Sequence, residues 1–311
     1  MDTIHFLQHL FGPHLHLLFL FFTGLGTSAV LWPLLLLYSW LVDPIFARRL
    51  SIAFAASFLT NRLLKEMFNT ERPFQVDQLV STPSAERTAT GYGFPSGHSQ
   101  NAATFYLAFA FRYPRRWIWI AAALIVVLVG LSRLYLGVHL PEDVGGGFVL
   151  GAIFAWAAGG WSGLRAWRPS WNILIGAVTL VLAFAVGAEP GACGLLAGCV
   201  AAKPEHTPPG TVGGRIGMAL GGAAAVALTG VLLYWLPARL SPGIQNSPAL
   251  AYLLYLAASL VGFGVWPRVW MIITQGGAAP VPPEPSPLTP LPTPTTQPHP
   301  ERGTAHPKTN P

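Results

Sequence analysis

In a chain that is 52% hydrophobic and only 10% charged, the side chains able to do chemistry are few enough to take one at a time. Of nine histidines, only His98 and His139 lie between residues 17 and 205, and of four aspartates only Asp143 lies beyond residue 100. His139 and Asp143 stand one helical turn apart. A carboxylate at that spacing can hold an imidazole N–H, fix the tautomer and leave the second ring nitrogen as a nucleophile. Lys65 and Arg72 are about two turns apart and can point the same way. Arg133 sits inside the apolar run IVVLVGLSRLYLGVHL and offers a planar fork suited to phosphate oxygens. The stretch GFPSGHSQN at 93–101 places Pro95, Ser96 and Gly97 ahead of a helix that starts near His98. Such a junction presents unpaired backbone N–H groups and the positive end of a helix dipole to an anion.

Each of these residues also has an ordinary explanation. Lys65 and Arg72 could snorkel at a lipid boundary, Ser96 could cap a helix, and a His–Asp pair is often a structural hydrogen bond. Together they describe in-line phosphoryl transfer, which needs charge stabilisation, a positioned nucleophile and an acid for the leaving oxygen. The three cations would do the work that a metal ion does elsewhere, and the sequence has no acidic cluster to hold one, so we expect no metal and no cofactor.

The elements that must hold these groups are apolar. Runs near membrane-spanning length occur at 25–42, 49–66, 98–113, 117–136, 142–160, 171–188, 212–236 and 249–274. Two hydrophilic stretches, 71–97 and 137–142, interrupt the first half, and 189–211 reads as a Gly/Pro-rich connection. Residues 1–22 read as an interfacial helix with scattered histidines, a first span being the competing reading. The tail beyond residue 279 carries 12 prolines from Pro280 onward and is expected to be disordered or polyproline-like. The domain plan is therefore 1–22, a membrane core over 23–165, additional spans over 166–278, and the tail over 279–311.

Mean hydropathy is +0.49, and the charge is too sparse to clothe a soluble surface, which usually carries about 25% charged residues. The net charge of +6 does not indicate a nucleic-acid partner, because the basic residues fall in pairs and triplets between apolar runs and 15 of the 18 are Arg. Arg48–Arg49, Arg112–Arg115–Arg116 and Arg165–Arg168 fall on one side if the intervening runs all span, and the positive-inside rule makes that side cytoplasmic. Loops 71–97 and 137–142, with the whole constellation, then face outward. The two cysteines, Cys193 and Cys199, make no metal or redox motif; they could form a local disulfide or serve as small core residues.

Lys65-x6-Arg72-Pro73, Pro95-Ser96-Gly97-His98 and Ser132-Arg133-x5-His139-x3-Asp143 resemble the three signature motifs of the type 2 phosphatidic acid phosphatase family, which shares its site with vanadium haloperoxidases. The stretches GYGFPSGHSQNA and GLSRLYLGVHLPEDVGGG are similar to its membrane-bound bacterial branch. The resemblance covers roughly residues 20–160. It implies an all-α, polytopic membrane bundle with a six-helix phosphatase core and extra C-terminal spans, in a bacterial plasma membrane with the site on the outer side. It also implies roles: His139 as nucleophile oriented by Asp143, His98 as acid and then base, and Lys65, Arg72, Ser96, Gly97 and Arg133 as phosphate-binding groups. The expected partner is a lipid phosphate within membrane lipids, with undecaprenyl diphosphate, phosphatidylglycerol phosphate and phosphatidic acid as candidates. A lipid phosphotransferase of the same fold is the alternative. A vanadate-dependent haloperoxidase or an anion transporter would use similar groups, but the spans disfavour the first and the facing His–Asp pair and second His disfavour the other. Oligomeric state is left open.

Overall fold

The computed structural model describes residues 1–160, 169–185, 187–203, 206–235, 239 and 247–275. The Pro-rich tail and the Arg165–Arg168 loop lie outside the described residues. Those described are helical with no strand. In chain order they are α1 (Asp2–Phe11), α2 (His16–Gly24), α3 (Ser28–Leu41), α4 (Pro44–Phe68), α5 (Pro73–Val76), α6 (Pro83–Glu86), α7 (Gly97–Arg112), α8 (Arg116–Tyr135) and α9 (Pro141–Gly159). Then follow α10 (Pro169–Phe184), α11 (Pro190–Ala201), α12 (Val212–Gly230), α13 (Pro248–Leu260) and α14 (Trp266–Gln275), with π-helical turns at Val231–Trp235 and Val261–Val265.

Three helical stretches among the described residues are long and apolar enough to cross a membrane: Arg116–Tyr135, Val212–Leu233 and Pro248–Thr274. A fourth arises if Pro13–Gly24 and Ser28–Leu41, bent by 44° at their break, count as one broken span. Eight apolar runs were expected to span. The runs at 49–66, 98–113, 142–160 and 171–188 fall on α4, α7, α9 and α10, which miss that length or hydropathy, and α10 is a short apolar helix without candidate site residues. The α4 helix is 25 residues long but bears Arg48, Arg49, Arg62, Lys65 and Glu66, α7 has only 16 residues, and α9 opens on Glu142, Asp143 and three glycines. The 189–211 connection also holds a helix of its own, α11, opened by Pro190 and capped by Glu189, whose carboxylate accepts the Ala192 N–H at 2.8 Å. Both cysteines are free, buried thiols on α11, which resolves the disulfide alternative in favour of core residues.

Two devices lock the frame around the polar motifs. The first is close approach of α7 and α9. A Cβ on Gly147 would lie 2.7 Å from the Ser96 carbonyl oxygen, and one on Gly151 would lie 2.5 Å from that of Gln100, so the helix backbones touch where only glycine fits. Gly146, Gly147 and Gly151 thus serve contacts within the chain, whereas Gly145 faces open space. The second is a buried polar chain between α4 and α7. Asn61 donates to Gln100 Oε1 at 2.9 Å, Gln100 donates to the Ser57 hydroxyl at 2.8 Å, and that hydroxyl meets Thr104 at 3.0 Å. Every member is partnered, so the network fixes the register of two helices whose apolar faces alone would allow slippage. Around it, Leu31, Leu35, Phe46, Phe54 and Leu50 form the apolar core with Phe105 and Ala155.

Candidate active site

The three motifs converge on one cavity of about 400 Å³. Lys65, Arg72, Gly97, His98, Arg133 and His139 all line it. Ser96 and Asp143 stand outside the lining: Ser96 is fully buried as the N-cap of α7, and Asp143 is buried in the first turn of α9. A backbone hydrogen bond from Ser96 N–H to Asp143 C=O, 2.9 Å, ties the second motif to the third.

His139 sits in the short connection between α8 and α9 and is 1% exposed. Its Nδ1 lies 3.1 Å from Asp143 Oδ2, and its Nε2 lies 3.1 Å from Arg72 Nη1. An arginine can only donate, so Nε2 must accept, and the ring proton resides on Nδ1, where it is donated to Asp143. The lone pair that could attack an electrophile therefore faces the cavity beside a cation. Asp143 is itself held, since Oδ2 also accepts the Leu140 N–H at 2.9 Å. Burial, then the Arg72, Arg133 and Lys65 charges, push the His139 pKa well below the ordinary histidine value of 6.5. With the lone pair free at lower pH, we expect the acid limb of kcat/KM to fall below pH 6.5. A pH–rate profile with its acid limb at or above that value would contradict this environment.

Among the described residues the cations are anchored by backbone and hydroxyl oxygens, without carboxylates. Arg72 caps α5 and spreads its guanidinium over three carbonyls, with Nε to Gly91 at 2.8 Å, Nη2 to Thr90 at 2.8 Å and Nη1 to Val138 at 2.9 Å. Burial lowers its pKa to about 10, so it remains a cation at neutral pH. Lys65 donates to the Tyr92 and Gly93 carbonyls. Arg133 is fully buried and donates through Nη1 to the hydroxyls of Thr23 and Thr88, at 2.5 and 2.8 Å. Two buried nitrogens of the residues lining this cavity, Arg133 Nε and His98 Nε2, have no hydrogen-bond partner among the described residues. Unpartnered buried donors are costly, and a cluster of them around a cavity is what an anion would satisfy.

Several lining residues escaped the sequence reading: Thr27, Asn61, Arg62, Arg87, Thr88, Thr90 and Asn101. Two of them carried a signal, because Asn61 lies one turn from Lys65, and Asn101 one turn from Gly97, on helices already marked as functional. Thr23 and Thr88 did not, being 110 and 45 positions from the Arg133 they hold.

Residues 46–167 match the family model described as PAP2 superfamily. The chain is 36% identical over 146 residues to phosphatidylglycerophosphatase B of Bacillus subtilis, covering 42% of this chain and 67% of that one. It is 34% identical over 103 residues to undecaprenyl-diphosphatase of Sulfolobus acidocaldarius, covering 33% of this chain and 48% of that one. The chain thus spans two thirds of the first relative's length and about half of the second's. Among solved structures, a transmembrane PAP2 type phosphatidylglycerolphosphate phosphatase from Bacillus subtilis matches with 30% identity and a TM-score of 0.45, over 54% of this chain and 86% of that one. With all three motifs gathered on one cavity inside the matched segment, the chain belongs to the PAP2 superfamily.

Proposed function

We propose that the protein is an integral membrane lipid phosphatase that hydrolyses a lipid phosphate or diphosphate through a phosphohistidine, with its site on the outer face of a bacterial plasma membrane. The observation that carries this reading is the fixed His139 tautomer, with Nδ1–H on Asp143 and Nε2 turned to Arg72 inside a cavity walled by three cations. The phosphoryl oxygens would take the donors of Lys65, Arg72 and Arg133 and the Gly97 N–H, where α7 begins over its Ser96 cap. That exchange draws Arg72 Nη1 from His139 to the substrate and frees the lone pair.

His139 Nε2 then attacks phosphorus in line, a P–N bond forms and the P–O bond to the lipid breaks. His98, whose Nε2 has no other partner, protonates the departing oxygen. The bound dianion favours the imidazolium form that this step requires. In the second half, neutral His98 takes a proton from water, the resulting hydroxide attacks phosphorus, and the P–N bond breaks to release inorganic phosphate. The developing equatorial charge meets cations throughout.

Undecaprenyl diphosphate, phosphatidylglycerol phosphate and phosphatidic acid all fit this chemistry, and an outward site favours carrier-lipid recycling. The test is phosphate release by the purified chain in detergent, from undecaprenyl diphosphate and from phosphatidic acid, with EDTA present. Release that survives EDTA is expected. No release from either lipid by folded protein would overturn simple hydrolysis.

A further inference from the structure

The family model ends at residue 167, and the helices beyond it are not explained by the phosphate chemistry. A second cavity, of about 430 Å³, gives them a role. Its walls are Trp32 and Leu36 of α3, Leu195 of α11, Val226 of α12, Ala258 of α13, and Phe263 from the π-helical turn that follows. The α11 to α13 walls and that turn all come from the segment after the matched core. The floor of this second cavity includes Ser28 and Ala29, and both residues also line the phosphate cavity. The two spaces meet at the start of α3, where the chain bends by 44° after α2.

We infer that the appended C-terminal helices and α3 form a slot for a hydrocarbon chain of the lipid substrate, joined to the phosphate cavity through Ser28 and Ala29. This deepens the proposed phosphatase reading and rests on it for the identity of the occupant. One end of the joined space offers cations and unpartnered donors; the other offers no charged side chain. An amphiphile with a phosphate head and an apolar chain matches that gradient. The hydroxyl of Ser259 on the slot wall is spent on its own helix, donating to the Tyr255 carbonyl at 2.7 Å. The walls are braced: Trp40 Nε1 donates to the Gly262 carbonyl at 2.7 Å, and a Cβ on Gly262 would lie 2.6 Å from the Leu36 side chain. The π turn re-aims Phe263 onto the slot, a placement for which such turns are often used.

A chain leaving the bilayer for this slot exchanges one apolar surrounding for another, so burial supplies little affinity. The slot would act by shape, aligning the phosphate of chains that fit and excluding those that do not. Ala258→Trp fills it from one side and Val226→Trp from another, and neither residue touches the phosphate cavity. In detergent, both variants are expected to lose about tenfold or more in kcat/KM on dioleoyl phosphatidic acid while changing less than about twofold on dihexanoyl phosphatidic acid. Equal losses on the two lipids, or no loss on either, would overturn the slot. A second measurement reads occupancy without turnover: radiolabelled phosphatidic acid and phosphatidylcholine, each with a photoreactive diazirine in one acyl chain, at matched mole fraction on the His139→Ala protein, with the labelled slot residues mapped by peptide. Labelling by phosphatidic acid well above that by phosphatidylcholine is expected. Equal labelling, meaning a bilayer lipid only, would overturn the inference. Should the wild-type chain release no phosphate while the selective labelling persists, the phosphatase reading fails and the slot stands.

Discussion

Replacing His139 with alanine should abolish turnover, with a loss of ~10⁴-fold or more in kcat, as expected when the group that bonds to the reacting atom is deleted. The fold should survive. Asp143 keeps its hydrogen bond from Leu140 N–H, and Arg72 keeps its three carbonyl partners, so the cost to stability should be about 1–3 kcal/mol for the lost buried contacts. Radiolabelled lipid phosphate quenched rapidly in alkali should leave a protein-bound, acid-labile label on the wild type and none on the variant. Residual turnover above about 1% of wild type, far more than deletion of a nucleophile allows, would remove His139 from that role.

The second large effect concerns Arg133, and here activity and stability should part company. Its guanidinium is fully buried against hydroxyl and carbonyl oxygens of Thr23 and Thr88, and among the described residues no carboxylate pairs with it. Keeping an ion there costs free energy that neutral partners only partly return. Arg133→Met retains the volume and deletes the ion. Loss of one phosphate-clamping cation should reduce kcat/KM by about 10³-fold, while the thermal midpoint in detergent holds steady or rises. Arg133→Lys should recover only part of the rate, because a point charge on a flexible stem does not reproduce the fork between Thr23, Thr88 and the cavity. A variant that melts far earlier than wild type would mark Arg133 as a structural strut. One that keeps its activity would show that Lys65 and Arg72 suffice.

The half of the molecule that holds the candidate site was open to reading because its side chains are expensive where they stand. Lys65, Arg133, His139 and Asp143 interrupt apolar runs that would be cheaper without them, and that cost is visible in one sequence. What holds them was less visible. The grip of Thr23 and Thr88 on Arg133, and of the Thr90, Gly91 and Val138 carbonyls on Arg72, depends on which loops meet in space, and hydroxyls and backbone oxygens leave no mark in composition. Length and composition alone recognise fewer spans among the described residues than the apolar runs suggest, for a related reason. Hydropathy registers α4, α7 and α9 as oily, while their functional ends carry the polar residues that make them short or charged. The α11 helix was missed because Gly and Pro at 190, 191, 194 and 198 read as breakers. Those glycines in fact admit a neighbour, with a Cβ on Gly194 falling 2.1 Å from the Tyr252 carbonyl oxygen.

The connection that carries His139 also passes through Gly137, which adopts a left-handed backbone with φ of +68°. A Cβ there would lie 1.9 Å from the carbonyl oxygen of Val80. Asparagine tolerates such a dihedral elsewhere, but no side chain fits this gap. Position 137 therefore has no neutral neighbour in sequence space. Lineages that keep His139 in this place must keep this glycine, or move the 80s loop and the connection that carries His139 in the same step.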